Sequence, residues 1–161
     1  MIRSTEPDDT STLVELIRGT GVFKPAEIVA LREVLDDYHG GAASRGHRAV
    51  TSVRNDQIVG FAYYAPAAMT DGTWYLYWIA VDRSVHTRGL GSELLRHAED
   101  EVRAAGCRLF LIETSSLPHY EPTRRFYSKH GYPVWCVIRD YYADGDDMVI
   151  FAKRMLDGVP S

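Results

Sequence analysis

Val81-Asp82-Arg83-Ser84-Val85-His86-Thr87-Arg88-Gly89-Leu90-Gly91-Ser92-Glu93-Leu94-Leu95 holds the change of pattern that decides the fold. Before it, Trp74–Val81 reads Trp-Tyr-Leu-Tyr-Trp-Ile-Ala-Val, strand formers without clean alternation. That run predicts a strand buried on both faces, hence a central one. After it, Gly89–Ala105 turns to helical period. Leu90, Leu94, Ala98, Val102 and Ala105 make an apolar stripe, with Glu93, Arg96, Asp100 and Arg103 turned away. Between the two, glycines at 89 and 91 let the backbone come close to a ligand, and the helix start offers N–H groups and a dipole that suit an anion. A Walker A loop needs Gly-Lys-Ser/Thr, which is absent, and a dinucleotide fingerprint needs glycine or alanine where Leu94 stands. From His86–Gly91 alone, a strand-to-helix turn that holds nothing is an equal reading.

Working outward, Gly106 caps the helix and Arg108–Glu113 follows as a second buried strand. Strand, helix and strand across 74–113 imply a right-handed parallel crossover. Upstream, Ile2–Thr5 reads as a short strand, and Thr10–Arg18 and Pro25–Tyr38 as helices, the second ended by Gly40-Gly41. Arg48–Arg54 and Gln57–Tyr64 form a hairpin about Asn55-Asp56. Downstream, Pro122 opens a short helix through Lys129 that Gly131 stops, and Pro133–Tyr141 and Met148–Lys153 make a last hairpin. The order is β-α-α-β-β-β-α-β-α-β-β. It predicts one α/β (α+β) domain over 1–161, with a mixed, mostly antiparallel central sheet, a parallel crossover at strands 4–5 and helices on both faces.

Composition narrows the function. At 45% hydrophobic and 25% charged, with net charge −4 and no basic face, the 161-residue chain is not built for nucleic acid. Its weak acidity is compatible with a cationic substrate. No apolar run approaches the ~18 residues of a membrane span, and the polar Met1–Glu6 lacks the apolar segment of a signal peptide. The expected location is cytoplasmic. Cys107 and Cys136 sit among apolar neighbours and read as small buried core residues. The six histidines show no metal-ligand spacing, and Asp144, Asp146 and Asp147 lack a calcium-loop pattern. These aspartates read as a solvated hairpin, and no metal is expected.

Val81-Asp82 with His86-Thr87-Arg88-Gly89-Leu90-Gly91-Ser92-Glu93-Leu94-Leu95 resembles the signature of the GNAT superfamily of N-acetyltransferases, commonly Gln/Arg-x-x-Gly-x-Gly/Ala before a helix. Glu113-Thr114-Ser115, Arg125-Phe126-Tyr127 and Gly131-Tyr132 recur in that family's order, so the likeness covers most of the chain. It implies acetyl-CoA as cosubstrate. The pyrophosphate would lie on the amides of His86, Thr87, Arg88, Gly89, Leu90, Gly91 and Ser92, the pantetheine arm along Ile79, Ala80 and Val81, with Thr123 and Arg124 lining the groove. His86 stands where Gln or Arg is usual and Thr87 where Gly is frequent; a positive φ at 87 would be costly for threonine.

Acetyl transfer to an amine poses two proton problems. A lysine-like amine of pKa ~10.4 must lose a proton, and a thiolate of pKa ~8.5 gains from receiving one. The resemblance makes Tyr127 the general acid, since a tyrosine of pKa ~10 stays protonated at neutral pH. It makes Glu113, at the end of an apolar strand that should raise its pKa, a candidate general base acting through water. Where the family often has asparagine, seven residues before the tyrosine, stands Tyr120. The acceptor, a small-molecule or peptide or protein amine, would meet Gly19–Tyr38 and Arg139–Asp147, where Asp36, Asp37, Asp140 and Asp144 would favour a cation. The paired strands of the terminal hairpin allow a homodimer. A non-catalytic acyl-CoA sensor or regulatory module is the alternative reading.

Overall fold

Asn55 and Asp56 take φ of 48° and 61°, the left-handed pair that a two-residue hairpin turn demands. They join β2 (Arg48–Arg54) to β3 (Gln57–Pro66), and β1 (Ile2–Ser4) pairs antiparallel with β2. The computed structural model describes residues 1–85 and 88–155. Helices α1 (Thr10–Gly19) and α2 (Pro25–Gly40) precede β2. After β4 (Thr73–Val81) come α3 (Leu90–Ala104), β5 (Leu109–Ser115), α4 (Glu121–Lys129), β6 (Val134–Ala143) and β7 (Asp146–Arg154). The strand order is β1-β2-β3-β4-β5-β7-β6. β4 and β5 run parallel, from Thr73↔Leu109 to Leu76↔Ile112, while β7 pairs antiparallel with both β5 and β6. This is the mixed, mostly antiparallel fold that the pattern predicts.

The chain forms two compact units, Met1–Ala65 with Tyr77–Ala98, and Pro66–Leu76 with Glu99–Ser161. In the first, Leu13, Val14 and Ile17 of α1 and Ile28, Leu31 and Leu35 of α2 pack with Ala49, Phe61, Tyr63, Ala65 and Ala80. The start of α3 packs on bare backbone: a Cβ on Gly60 would stand 2.8 Å from Leu94 Cδ1 and 3.4 Å from the Ala80 carbonyl.

In the second unit Phe110, Ile112 and Phe151 are buried together with Tyr127 and Tyr132. Glu99, in the second half of α3, is buried and takes hydrogen bonds from Lys153 Nζ at 3.0 Å and Arg103 at 3.4 Å. Gly106, at φ +84°, turns the chain out of α3, and the Cys107 N–H reaches back to the Val102 carbonyl at 2.9 Å. Gly72 then ties β4 to β5, its carbonyl accepting from Arg108 N–H at 2.7 Å and Leu109 N–H at 3.2 Å.

Four expectations change. Trp74–Val81 is not buried on both faces: Trp74, Leu76 and Ala80 are, but Tyr77 is 53% exposed, because an aromatic run favours strand whether or not both faces are covered. Arg108–Glu113 likewise buries Phe110 and Ile112 but leaves Glu113 exposed. Ala105 leaves the apolar stripe, since α3 ends at Ala104. Cys107 is buried as expected, but Cys136 is exposed because β6 is last in the strand order.

At Gly72 the φ of +79° and a Cβ only 2.8 Å from the Gly106 carbonyl combine. Gly72→Ala should therefore destabilise the chain by ~2 kcal/mol or more. Urea unfolding would show this as a lower midpoint at unchanged slope.

Candidate active site

In the first unit the end of β4 leads into the anion-suited turn. Ala80 is buried, and Ile79 and Val81 are half-buried. The Asp82 N–H closes on the Val59 carbonyl at 2.8 Å. The Asp82 carboxylate accepts from both the Ser84 N–H and the Ser84 hydroxyl at 2.8 Å, a local turn that ends the strand. His86 and Thr87 lie outside the described residues, and with them the question of φ at 87. Arg88 and Gly89 are exposed. Gly89 has φ +85°, yet a Cβ there would meet nothing within 4 Å. Conformation, not crowding, is what asks for glycine here. Buried Leu90 anchors the helix, while Gly91 and Ser92 are half-buried in its first turn. The Glu93 N–H donates to the Gly89 carbonyl at 2.9 Å. The N–H groups before it lie at the positive end of the helix dipole.

The same unit holds an aromatic group that the sequence reading did not assemble. His47 Nδ1 and the Tyr63 hydroxyl are 2.6 Å apart. Burial, aided by Arg45, holds the His47 pKa below its ordinary value. Burial first, then Tyr38, Asp37 and Tyr77, pushes Tyr63 up to about 12. The pair is thus uncharged at neutral pH. Tyr38 meets Tyr63 edge-on at 6.0 Å, Tyr77 lies 6.3 Å from it, and Phe23 packs on Trp78 at 5.2 Å. The aromatic density of Tyr63–Tyr77 was the available signal; nothing in the sequence marks His47.

In the second unit, the pleat separates Glu113 from Tyr127. Ile112 pairs with Phe151 and Glu113 with Ile150, so Glu113 points to the face opposite Ile112 and Phe151. Tyr127 packs on Phe151 at 5.6 Å and is 5% exposed. Acid and base candidates therefore lie on opposite faces of the β5–β7 pair. Burial raises the pKa of Tyr127 strongly, and no hydrogen bond among the described residues reaches its hydroxyl. Glu113 counts as exposed, yet its carboxyl end loses enough water to raise its pKa. Glu113 is near enough to Tyr75 to act on it: the Tyr75 pKa is raised by burial first and then by Glu113, with smaller effects from Cys136 and Tyr141.

Other expected residues fall differently. Thr123 is half-buried. Arg124 is occupied in holding the loop, donating to the Ser115 carbonyl at 2.7 Å and the Leu117 carbonyl at 3.0 Å. Tyr120 is buried. Of the three hairpin aspartates only Asp144 is exposed; Asp146 is buried and accepts the Ser115 hydroxyl, and Asp147 accepts the Asp140 N–H at 2.9 Å. A charge that has a buried hydroxyl donor does not need solvent.

A model of the acetyltransferase (GNAT) family matches residues 18–132. Among solved structures, a GNAT-family protein from Desulfovibrio desulfuricans is 34% identical, covering 97% of this chain and 99% of that one, with TM-score 0.92. The aminoglycoside 6′-N-acetyltransferase of Enterococcus faecium shares the fold at 20% identity, covering 100% and 99%, with TM-score 0.78. So does a Salmonella typhimurium protein solved with its cofactor acetyl-CoA, at 17% identity, 100% and 96% coverage and TM-score 0.78. A search of curated proteins finds no match.

Proposed function

The chain belongs to the GNAT family of acetyltransferases, and we propose that it moves the acetyl group of acetyl-CoA onto a primary amine by direct attack. The observation that carries this reading is the turn from β4 into α3, where Gly89 at φ +85° has open space around it and the N–H groups of the helix start follow. Glu113, on the other face of the β5–β7 pair from Tyr127, reaches the acceptor only through water. In the first unit, the strand end Ile79–Val81 and the turn at Arg88–Ser92 fit the extended arm and the phosphates. Gly89 leaves open space there, and the helix start brings N–H donors. The Salmonella relative, solved with acetyl-CoA, supports the choice of cosubstrate.

Glu113 takes a proton from the acceptor ammonium, through water, and leaves a neutral amine. The amine nitrogen bonds to the thioester carbonyl carbon and the carbon–sulfur bond breaks. Tyr127 passes its proton to the departing sulfur and recovers one as the amide nitrogen sheds its surplus proton. The products are an amide and free CoA thiol. On the acceptor side, the faces of Tyr38, Tyr63 and Tyr77 with Asp37 favour a cationic amine, whether carried by a small molecule or a peptide. The aminoglycoside enzyme of Enterococcus faecium, which shares the fold, acts on such an amine-bearing compound.

Acetyl-CoA should raise the melting temperature; no shift at millimolar ligand would exclude it as cosubstrate. Tyr127→Phe should cut turnover at least tenfold, read as released thiol, with that thermal shift retained; unchanged turnover would reduce Tyr127 to a packing residue. Because the Glu113 pKa is raised, kcat/KM should fall on the acid side at a pH above the ordinary carboxylate value. Glu113→Gln should erase that limb and lower the rate by ~10²-fold or more.

A further inference from the structure

We propose that Lys153 is a positioning residue for Tyr127: its ammonium, held by Glu99, grips the last turn of α4 and so fixes where the phenol stands. This rests on the acid role proposed for Tyr127. A phenol that passes its proton to one departing sulfur needs a fixed place, and even ~1 Å of misplacement costs rate. No hydrogen bond among the described residues reaches the Tyr127 hydroxyl. Its place therefore comes from the backbone of α4 and from the rings around it. The nine residues of α4 make a helix that is marginal on its own in water. The closing carbonyls of such a helix also lack partners within it.

Lys153 reaches that end. Its Nζ donates to the His130 carbonyl at 3.2 Å and to the Glu99 carboxylate at 3.0 Å. A cation there also meets the negative end of the helix dipole. His130 is tied in turn to Tyr127 and its neighbour. The His130 N–H donates to the carbonyls of Phe126 at 3.2 Å and Tyr127 at 3.1 Å, and its ring lies 4.4 Å from that of Phe126. A Cβ on Gly131 would stand 3.7 Å from Nζ, so the ammonium lies against the backbone of the turn. The same ammonium is 5.1 Å from the centre of the Tyr132 ring, which stands 6.4 Å from that of Tyr127. Two residues before Lys153 on β7, and so on the same face, Phe151 packs on Tyr127 at 5.6 Å. One strand thus supplies both the floor under the phenol and the clamp on its helix. Glu99, 7% exposed, also accepts from Arg103 at 3.4 Å and holds the ammonium from a fixed place. A buried ion pair adds little net stability over an apolar pair, so stability alone does not account for one aimed at this carbonyl.

Glu99→Gln combined with Lys153→Met removes both charges and strands neither. This double variant should fold and keep both the thermal shift with acetyl-CoA and the KM for it. Its kcat should fall about tenfold, read as thiol released from acetyl-CoA with butylamine as the acceptor probe. In the Tyr127→Phe background the same two changes should lower kcat no further, because the hydroxyl they position is gone. A role in stability alone would lower it equally in both backgrounds. Should the double variant fail to fold, Lys153→Arg, which keeps the charge but moves the donors, carries the same comparison. Its several-fold loss should appear only where the hydroxyl is present. Unchanged kcat with Tyr127 intact, or equal losses with and without its hydroxyl, would overturn the proposal. Turnover unaffected by Tyr127→Phe alone would instead remove the acid role, and this inference with it.

Discussion

Successive side chains of an extended strand cannot share a face, and in β5 that constraint sorts the chemistry. Phe110, Ile112 and Thr114 turn into the packed side, while Leu111 and Glu113 turn to the open one. A one-residue slip of β5 would exchange the two sets, burying a carboxylate and exposing a phenylalanine. The seven matched pairs with β7, from Leu109↔Arg154 to Ser115↔Met148, hold the register against it. The buried link from the Ser115 hydroxyl to Asp146 fastens the far end.

Burial acts on the titrating groups in one direction. Tyr127, Tyr63 and Glu113 are pushed up, and His47 is pushed down. Each shift favours the uncharged form, as expected where protein replaces water. Exposed Asp37 and Arg45 lie near the Tyr63–His47 pair and act on it with opposite signs. A neutral, partly dry aromatic surface between two fixed charges can bind an amine without itself ionising.

Where the sequence spoke clearly, local chemistry was enough. Asn55-Asp56 and Gly106 each need a backbone conformation that few other residues adopt, and the turns fall there. The stripe of α3 and the strand-helix-strand switch followed from periodicity alone. What stayed hidden depends on long-range partners. Asp146 looks solvent-bound until Ser115, 31 residues earlier, supplies a hydroxyl. His47 carries no mark until Tyr63 arrives beside it. Cys136 was misread because the apolar run around it describes what the strand requires, and not where it stands in the sheet. For the candidate site, the turn and the Glu113–Tyr127 pair were proposed through the resemblance, whereas the division of that pair between two faces needed the register.

The bare backbone at Gly60 has a consequence for the turn some thirty residues later. Leu94 rests where a side chain would otherwise be, so the height of α3 above β3 is set by a hydrogen atom. A methyl group there would act as a spacer under the helix, tilting its N-terminal amides without touching any residue that could contact phosphate. The proposed acyl-CoA turn thus has a remote adjusting screw: a position apart from every proposed phosphate contact, through which selection or engineering could retune the helix start.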